Sequence, residues 1–503
     1  MGLAGGKAVS FAPLDYAVVG LFLAAILALG FSAKLRNNTM LQFLAAGRSL
    51  SLPAFVATLV TVWYGGILGI SESVTYYGIG TWLLMGVPYY VFAFAYAAWF
   101  AKRVRSADQL TIPERLALRW GNKVGLIGAF IVFCLAVPAA HVLMLGSLVE
   151  SFTGLEIKYG VWIGAAIGVL FLYKGGLLAD VRVGMLAFVM MYVGFLVIDV
   201  YCLATHPPAT ILPALRDQHL LGFAGGKNPI VVFTFFIVGA WTLVDPAFHQ
   251  RVASSGSPEL GRKGVLVSIG FWFLFDVLSI TAALYAVALA KNPPSDGKLL
   301  YPVFGNQILP AGLKAVFFCG MLGTILSAMV GYSLVSGTTI GREIVARLKS
   351  GLSDAQVTMA SRVGIAMAVV IAVWLALQIH SVVDLWYSWS GCVIGSMLAP
   401  VCVAYLREAK VRVSGAWIGA SMAVSFGASF AWLMYGLQTN NSLLNVAFIQ
   451  SRHGMHVQVE AESENPQPGR LDVPVGTLAP ALVISGAVIA LGALAARRTA
   501  KNG

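Results

Sequence analysis

Long apolar runs joined by short, mostly basic loops set the pattern of this chain from residue 14 to residue 496. An α-helix needs about 20 apolar residues to cross the hydrocarbon core of a bilayer. The pattern predicts thirteen such spans, near 14–33, 52–79, 81–101, 122–149, 157–173, 184–205, 229–250, 264–290, 311–340, 358–378, 382–406, 413–435 and 478–496. Two of them are interrupted. In 52–79, Tyr64-Gly65-Gly66 falls halfway along the run, and glycine is the residue that most weakens a helix interior short of proline. In VVFTFFIVGAWTLVDPAFHQR (231–251), Gly239 is followed by Asp245-Pro246, where proline lacks an N–H and its ring clashes with the preceding turn. Broken backbone at membrane depth persists only against other protein or a wet cavity. Taken singly, each break is explained equally well by a kinked helix packing through small residues. Taken together they correspond, because spans 2–6 and 7–11 form two sets of five, each opening with the interrupted helix. An odd number of spans turns the second set upside down, which is the sequence sign of an inverted-repeat transporter with a central site. The expected core repeats run about 52–206 and 229–407. Peripheral helices are expected near 14–33, 413–435 and 478–497, with a polar outer loop at 436–477.

Composition excludes a soluble class: the 503 residues are 58% apolar and 11% charged, with a mean hydropathy of +0.82, a balance of polytopic membrane proteins. The expected fold class is therefore an all-α polytopic membrane protein forming one transporter domain over residues 1–503. The net charge of +12 reflects topology. Alternate loops carry 24 of the 33 Lys and Arg residues, leaving 9 for the other side, so the positive-inside rule puts the N-terminus outside and the C-terminus in the cytoplasm of a cytoplasmic membrane. No nucleic-acid patch follows from it. The five cysteines (Cys134, Cys202, Cys319, Cys392, Cys402) all lie in apolar runs without paired spacing and read as small buried hydrophobes.

Chemistry is sparse along the chain. His141, Asp180, Asp199 and Asp276 are isolated polar groups in or beside spans; His141 and Asp199 are expected to make structural hydrogen bonds. Asp245 is expected to cap the second half of its broken helix, and Trp241, beside that break, suits either a cavity wall or plain packing. In span 9, FFCGMLGTILSAMVGYSLVSGTTIGRE, Thr324, Ser327 and Gly331 share one helical face. Hydroxyls with freed carbonyls are the hard oxygen donors a small alkali cation needs. The loop pair His453 and His456 is read as incidental. No HExxH, P-loop, GxSxG or intramembrane aspartate pair occurs, which disfavours an enzyme.

A set of short pieces resembles the sodium:solute symporters: GRSL (47–50), GISE (69–72), TIPE (111–114), KGGLLADVR (174–182), DP-x-x-x-QR (245–251) and SGTTIGRE (336–343). Over residues 14–435 the resemblance implies a LeuT-like five-plus-five inverted repeat, alternating access and sodium-driven symport of a small organic solute. It implies a sodium site made of the backbone carbonyls of Leu59 and Val62, the carbonyl of Thr324 and the hydroxyl of Ser327. Solute would sit against Tyr64, Gly65 and Gly66, with Trp241 as a gating aromatic. The chain departs from the family where Ala328 replaces a second hydroxyl residue, where Val330-Gly331 replaces Asp-Ser, and where Val183-Gly184 replaces Thr-Asp. One hydroxyl fewer around a cation is worth roughly 1.5–3 kcal/mol, or about 10- to 150-fold in affinity. Sodium is the expected coupling ion; Ala328 and Gly184 leave proton-coupled or ion-independent carriage open, and the family's kinase-fused members leave a receptor built on the same fold as a further alternative. The mid-membrane groups, aromatic, glycine and hydroxyl, tilt towards a neutral or zwitterionic solute.

Overall fold

Every apolar run folds as helix, because a backbone in hydrocarbon must satisfy its own hydrogen bonds. The computed structural model describes residues 9–35, 39–227, 229–294, 296–379, 382–406, 412–439 and 477–502; most of the polar stretch 436–477, with His453 and His456, lies outside them. Among the described residues, eleven helices are long and apolar enough to cross a membrane, and Ile157–Val169 and Ser390–Tyr405 are shorter apolar helices. No strand occurs among them, only an isolated bridge between Leu50 and Ser255.

The chain begins with α1 (Pro13–Ser32), then a broken helix made of α2 (Leu52–Trp63) and α3 (Ile67–Tyr77). Helix α4 (Trp82–Ser106) follows, containing two π-helical segments, and then the short α5 (Ile112–Trp120). Next come α6 (Asn122–Ala136), α7 (Ala139–Thr153), α8 (Ile157–Val169) and the 34-residue α9 (Leu172–Thr205). The second broken helix comprises α10 (Pro229–Val238) and α11 (Pro246–Ala253). Further helices are α12 (Pro258–Leu289), α13 (Leu313–Leu348), α14 (Asp354–Gln378), α15 (Val382–Tyr405), α16 (Gly415–Thr439) and α17 (Leu478–Asn502). Shorter ones, such as Pro208–Asp217 and Leu300–Ile308, lie along the chain as well.

Burial separates core from periphery. In the most apolar windows of Leu52–Tyr77 and Leu313–Leu348, 89% and 83% of residues are buried, against 28% for α1 and 28% for Leu478–Arg498. Helix α2 lies between α9, α12 and α13. Helices α9 and α13 meet where Gly194 faces Gly320: a Cβ on either would come within 3.2 Å of the other's Cα. Such small-residue contacts let backbones approach in a bilayer, where apolar side chains gain nothing by leaving lipid.

Two further interruptions differ from the expected pattern. Span 4 is not continuous but breaks at Val137-Pro138 between α6 and α7. The KGG turn is a kink inside α9, with Gly176 at φ +51° against the Phe43 carbonyl, so helix runs from 172 where the hydropathy pattern begins the span at 184. Three of the motif pieces, GRSL, TIPE and SGTTIGRE, come together at one end of the bundle. Thr111 caps α5 by accepting the Glu114 N–H, and its hydroxyl donates to Glu343 at 2.7 Å. Arg342 pairs with Glu114 at 2.6 Å, Arg347 with Glu343 at 2.6 Å, and Arg48 of GRSL with Asp108.

Candidate functional site

The first break is a single 3-10 turn over Tyr64–Gly66, and the Tyr64 N–H turns back onto the Val60 and Val62 carbonyls. A 3-10 turn replaces i,i+4 bonds by i,i+3 bonds, interrupting the helical ladder just past Val62, while Leu59 stays within the regular helix α2. Gly65 is required by proximity: a Cβ there would stand 2.0 Å from the Ala328 methyl and 2.9 Å from His141 Nε2. The methyl of residue 328 therefore packs on the break itself. The Tyr64 ring turns the other way, towards α12, where its hydroxyl lies 2.8 Å from both the Trp272 carbonyl and Asp276 Oδ1.

Opposite the break, α13 presents the face predicted from spacing. The Thr324 hydroxyl donates to its own Met321 carbonyl at 2.8 Å, so it is turned onto its helix. The Ser327 hydroxyl instead reaches across to the hydroxyl of Thr61 on α2, 2.9 Å away. Thr61 was not among the residues expected at the site. Its signal was present, since Thr58 and Thr61 sit three apart on the same face of α2. Gly184 of α9 completes this corner: a Cβ at that position would meet Thr58 Cγ2 at 3.0 Å, Ser327 Oγ at 3.3 Å and Thr61 Oγ1 at 3.5 Å. The side chain missing at 184 thus leaves room beside the two hydroxyls.

One turn beyond Ser327, Gly331 accommodates a guanidinium; its Cβ would lie 2.7 Å from Arg251 Nη2 and 3.2 Å from Val62 Cγ2. Arg251 Nη2 pairs with Asp180 Oδ2 at 2.7 Å, both side chains being 0% exposed, and Nη1 donates to the Ala247 carbonyl. Arg251 Nε and Asp180 Oδ1 have no hydrogen-bond partner among the described residues. The positive-inside tally treats Arg251 as a loop residue; it is instead a buried member of α11, and without it the basic asymmetry keeps its sign.

The second break is a 3-10 segment, Gly239–Leu243, with Val244 outside helical geometry before Asp245. Asp245 is the N-cap of α11, its Oδ1 accepting the Phe248 N–H at 2.7 Å. Its Oδ2 accepts the Trp241 indole N–H at 2.9 Å and the Tyr332 hydroxyl at 2.7 Å. His141 stacks on the Tyr332 ring, centroids 5.3 Å apart. Trp241, Asp245, Tyr332, His141 and Gly65 therefore form one chain of contacts from the second break to the first. His249 turns away, its Nε2 2.9 Å from the Leu243 carbonyl. Asp199, expected to be hydrogen-bonded, is buried with neither oxygen partnered among the described residues. The hydroxyls of nearby Tyr285 and Tyr301 are committed to the His206 and Ser279 carbonyls instead.

Comparison with known proteins agrees with this architecture. The model of the sodium:solute symporter family matches residues 43–422. The osmoregulated proline transporter OpuE of Bacillus subtilis is 22% identical over 458 residues, covering 85% of this chain and 90% of its own length. A sodium/proline symporter of Haemophilus influenzae is 22% identical, covering 82% and 86%. A solved structure of a Na+-coupled sialic acid symporter, substrate-bound and outward-open, superposes with a TM-score of 0.75 at 13% identity, over 96% of this chain and 98% of that one. The fold is the LeuT-like one, and this chain, a membrane transporter and not an enzyme, belongs to the sodium:solute symporter family.

Proposed function

We propose that the chain couples uptake of a small neutral or zwitterionic solute to sodium inflow, with the ion held between the first broken helix and α13. Its ligands are the carbonyls of Leu59, Val62 and Thr324 and the hydroxyl of Ser327. The observation that carries this reading is the 2.9 Å pair of Thr61 and Ser327 hydroxyls beside the break. Two hard oxygens on facing helices suit an alkali cation, and Thr61 supplies the oxygen that Ala328 lacks. Solute lies against the backbone of Tyr64, Gly65 and Gly66 and against Trp241, bounded by His141 and Tyr332. The Tyr64 side chain, engaged with α12, takes no part in that contact.

The repeats run about 52–206 and 229–407 and are related by inversion, with the N-terminus outside and the C-terminus in the cytoplasm. In that orientation the Asp180–Arg251 pair closes the cytoplasmic side of the ion site. L-Proline is the first solute to try, because the proline carriers cover most of this chain. The test is uptake into proteoliposomes under an inward sodium gradient or with choline replacing sodium, after a thermal-shift screen has named the solute. Sodium-dependent uptake supports the reading and equal uptake rejects it. Ion-independent carriage is the second reading, favoured by the Ala328 methyl standing on Gly65; it requires Ala328→Ser to create a sodium dependence absent from the parent protein.

A further inference from the structure

Helix α12 carries a carboxyl group, Asp276, in the middle of its apolar stretch FWFLFDVLS, buried and in no ion pair among the described residues. Its surroundings are hydroxyls. Tyr64 reaches Oδ1 at 2.8 Å, and the Tyr90 hydroxyl donates to Oδ2. Tyr192 of α9 and Tyr301 are the other titratable groups beside it; their hydroxyls donate to the Phe271 and Ser279 carbonyls. Among the described residues no lysine, arginine or histidine pairs with it. Space for the carboxyl comes from Gly86, in the π-helical segment Trp82–Gly86 of α4, where a Cβ would stand 2.5 Å from Oδ2.

Counting protons decides the charge of this group. The Tyr64 oxygen is 2.8 Å from two oxygens at once, the Trp272 carbonyl and Asp276 Oδ1. A tyrosine hydroxyl has one proton to donate, and a backbone carbonyl can only accept. If Tyr64 donates to Trp272, the contact with an ionised Asp276 brings two acceptors together with no hydrogen between them. If it donates to Asp276, the same conflict moves to the Trp272 carbonyl. At low local dielectric an unmet contact of this kind is expensive.

We propose that Asp276 is a proton-binding site, occupied in this conformation. Its Oδ1–H donates to the Tyr64 oxygen, the Tyr64 hydroxyl donates to the Trp272 carbonyl, and the Tyr90 hydroxyl donates to Oδ2. Every contact then has its proton, and no buried charge is left without a counter-ion. The site is tied to the transport machinery through Tyr64, the first residue of the 3-10 turn that makes the first break. A change in that turn carries the Tyr64 oxygen away and removes the acceptor of the carboxyl proton, so the affinity of Asp276 for its proton depends on the state of the broken helix. This holds whether or not sodium occupies the site beside Ser327.

Infrared spectroscopy of the full-length protein in lipid nanodiscs tests it without needing the solute. The difference between the parent protein and Asp276→Asn at neutral pH is expected to show a protonated-carboxyl stretching band that shifts in heavy water. The same band is expected to survive Asp199→Asn. A difference that shows loss of a carboxylate band instead overturns the proposal. Should Asp276→Asn not fold, Tyr64→Phe gives the second reading. Removing the acceptor is expected to move the carboxyl band to higher frequency, and a band left unmoved overturns the assigned chain of donors.

Discussion

At the scale of single residues, the proposed site rests on two hydroxyls and one buried ion pair. If the proposed site holds sodium, replacing Ser327 by Ala removes one of its oxygen ligands and is expected to weaken sodium-dependent stabilisation by roughly 1.5–3 kcal/mol. Thr61→Val, which removes the partner hydroxyl while keeping the side chain's shape, is expected to act in the same direction; sodium titrations followed by thermal unfolding measure both. If Thr61→Val leaves the sodium response untouched, the oxygen lost at Ala328 has no replacement here. The Asp180–Arg251 pair responds differently. Arg251→Met leaves a buried carboxylate unpaired and is expected to cost about 3–5 kcal/mol, much of it recovered by adding Asp180→Leu. Unfolding midpoints of the single and double variants compare directly. Ser327 and Thr324 were legible in the sequence because helical spacing puts them on one face. Thr61 was harder to read, since every residue from Ala54 to Val62 is buried and no face of α2 stands out. The Asp180–Arg251 pair was not legible at all: 71 positions separate its members, and an arginine following Gln250 looks like the start of a loop.

At the scale of the helix, the two interruptions are what the glycine and proline positions said they would be, for a local reason that needs no partner. Each weakens a helix from within its own sequence. What sequence does not carry is the partner surface, and Gly65 shows it. Its lack of a side chain matters because the Ala328 methyl occupies the space. Gly65→Ala is therefore expected to abolish uptake, by pushing α13 from the break, and Gly65→Ala with Ala328→Gly to restore part of it. Failure of the double variant to gain anything over the single one would show that Gly65 serves backbone conformation alone. The break at Val137-Pro138 escaped the hydropathy pattern because apolar residues continue through it on both sides. A proline carried along in such a run reads as one more hydrophobe.

At the scale of the whole molecule, three of the short motifs, GRSL, TIPE and SGTTIGRE, acquire one physical meaning. Their charged ends meet, Thr111 and Glu114 with Glu343 and Arg342, and Leu50 with Ser254 through a backbone hydrogen bond. These contacts tie the three pieces together at one end of the bundle, and TIPE or SGTTIGRE loses its partner if the other is absent. The orientation proposed for that end has its own check. In a background without the native cysteines, a membrane-impermeant thiol reagent applied to intact cells is expected to label Leu155→Cys, 43% exposed, and to leave Leu348→Cys, 69% exposed, unlabelled until the membrane is opened. The reverse pattern would invert the topology.

The central claim is that an ion bound between the first broken helix and α13 drives solute across the membrane. Its most direct test is uptake, by purified protein in proteoliposomes, of the solute that gives the largest sodium-dependent gain in thermal stability. Uptake is expected to require an inward sodium gradient and to lose that requirement's benefit in Ser327→Ala. Equal uptake with sodium and with choline would contradict the account.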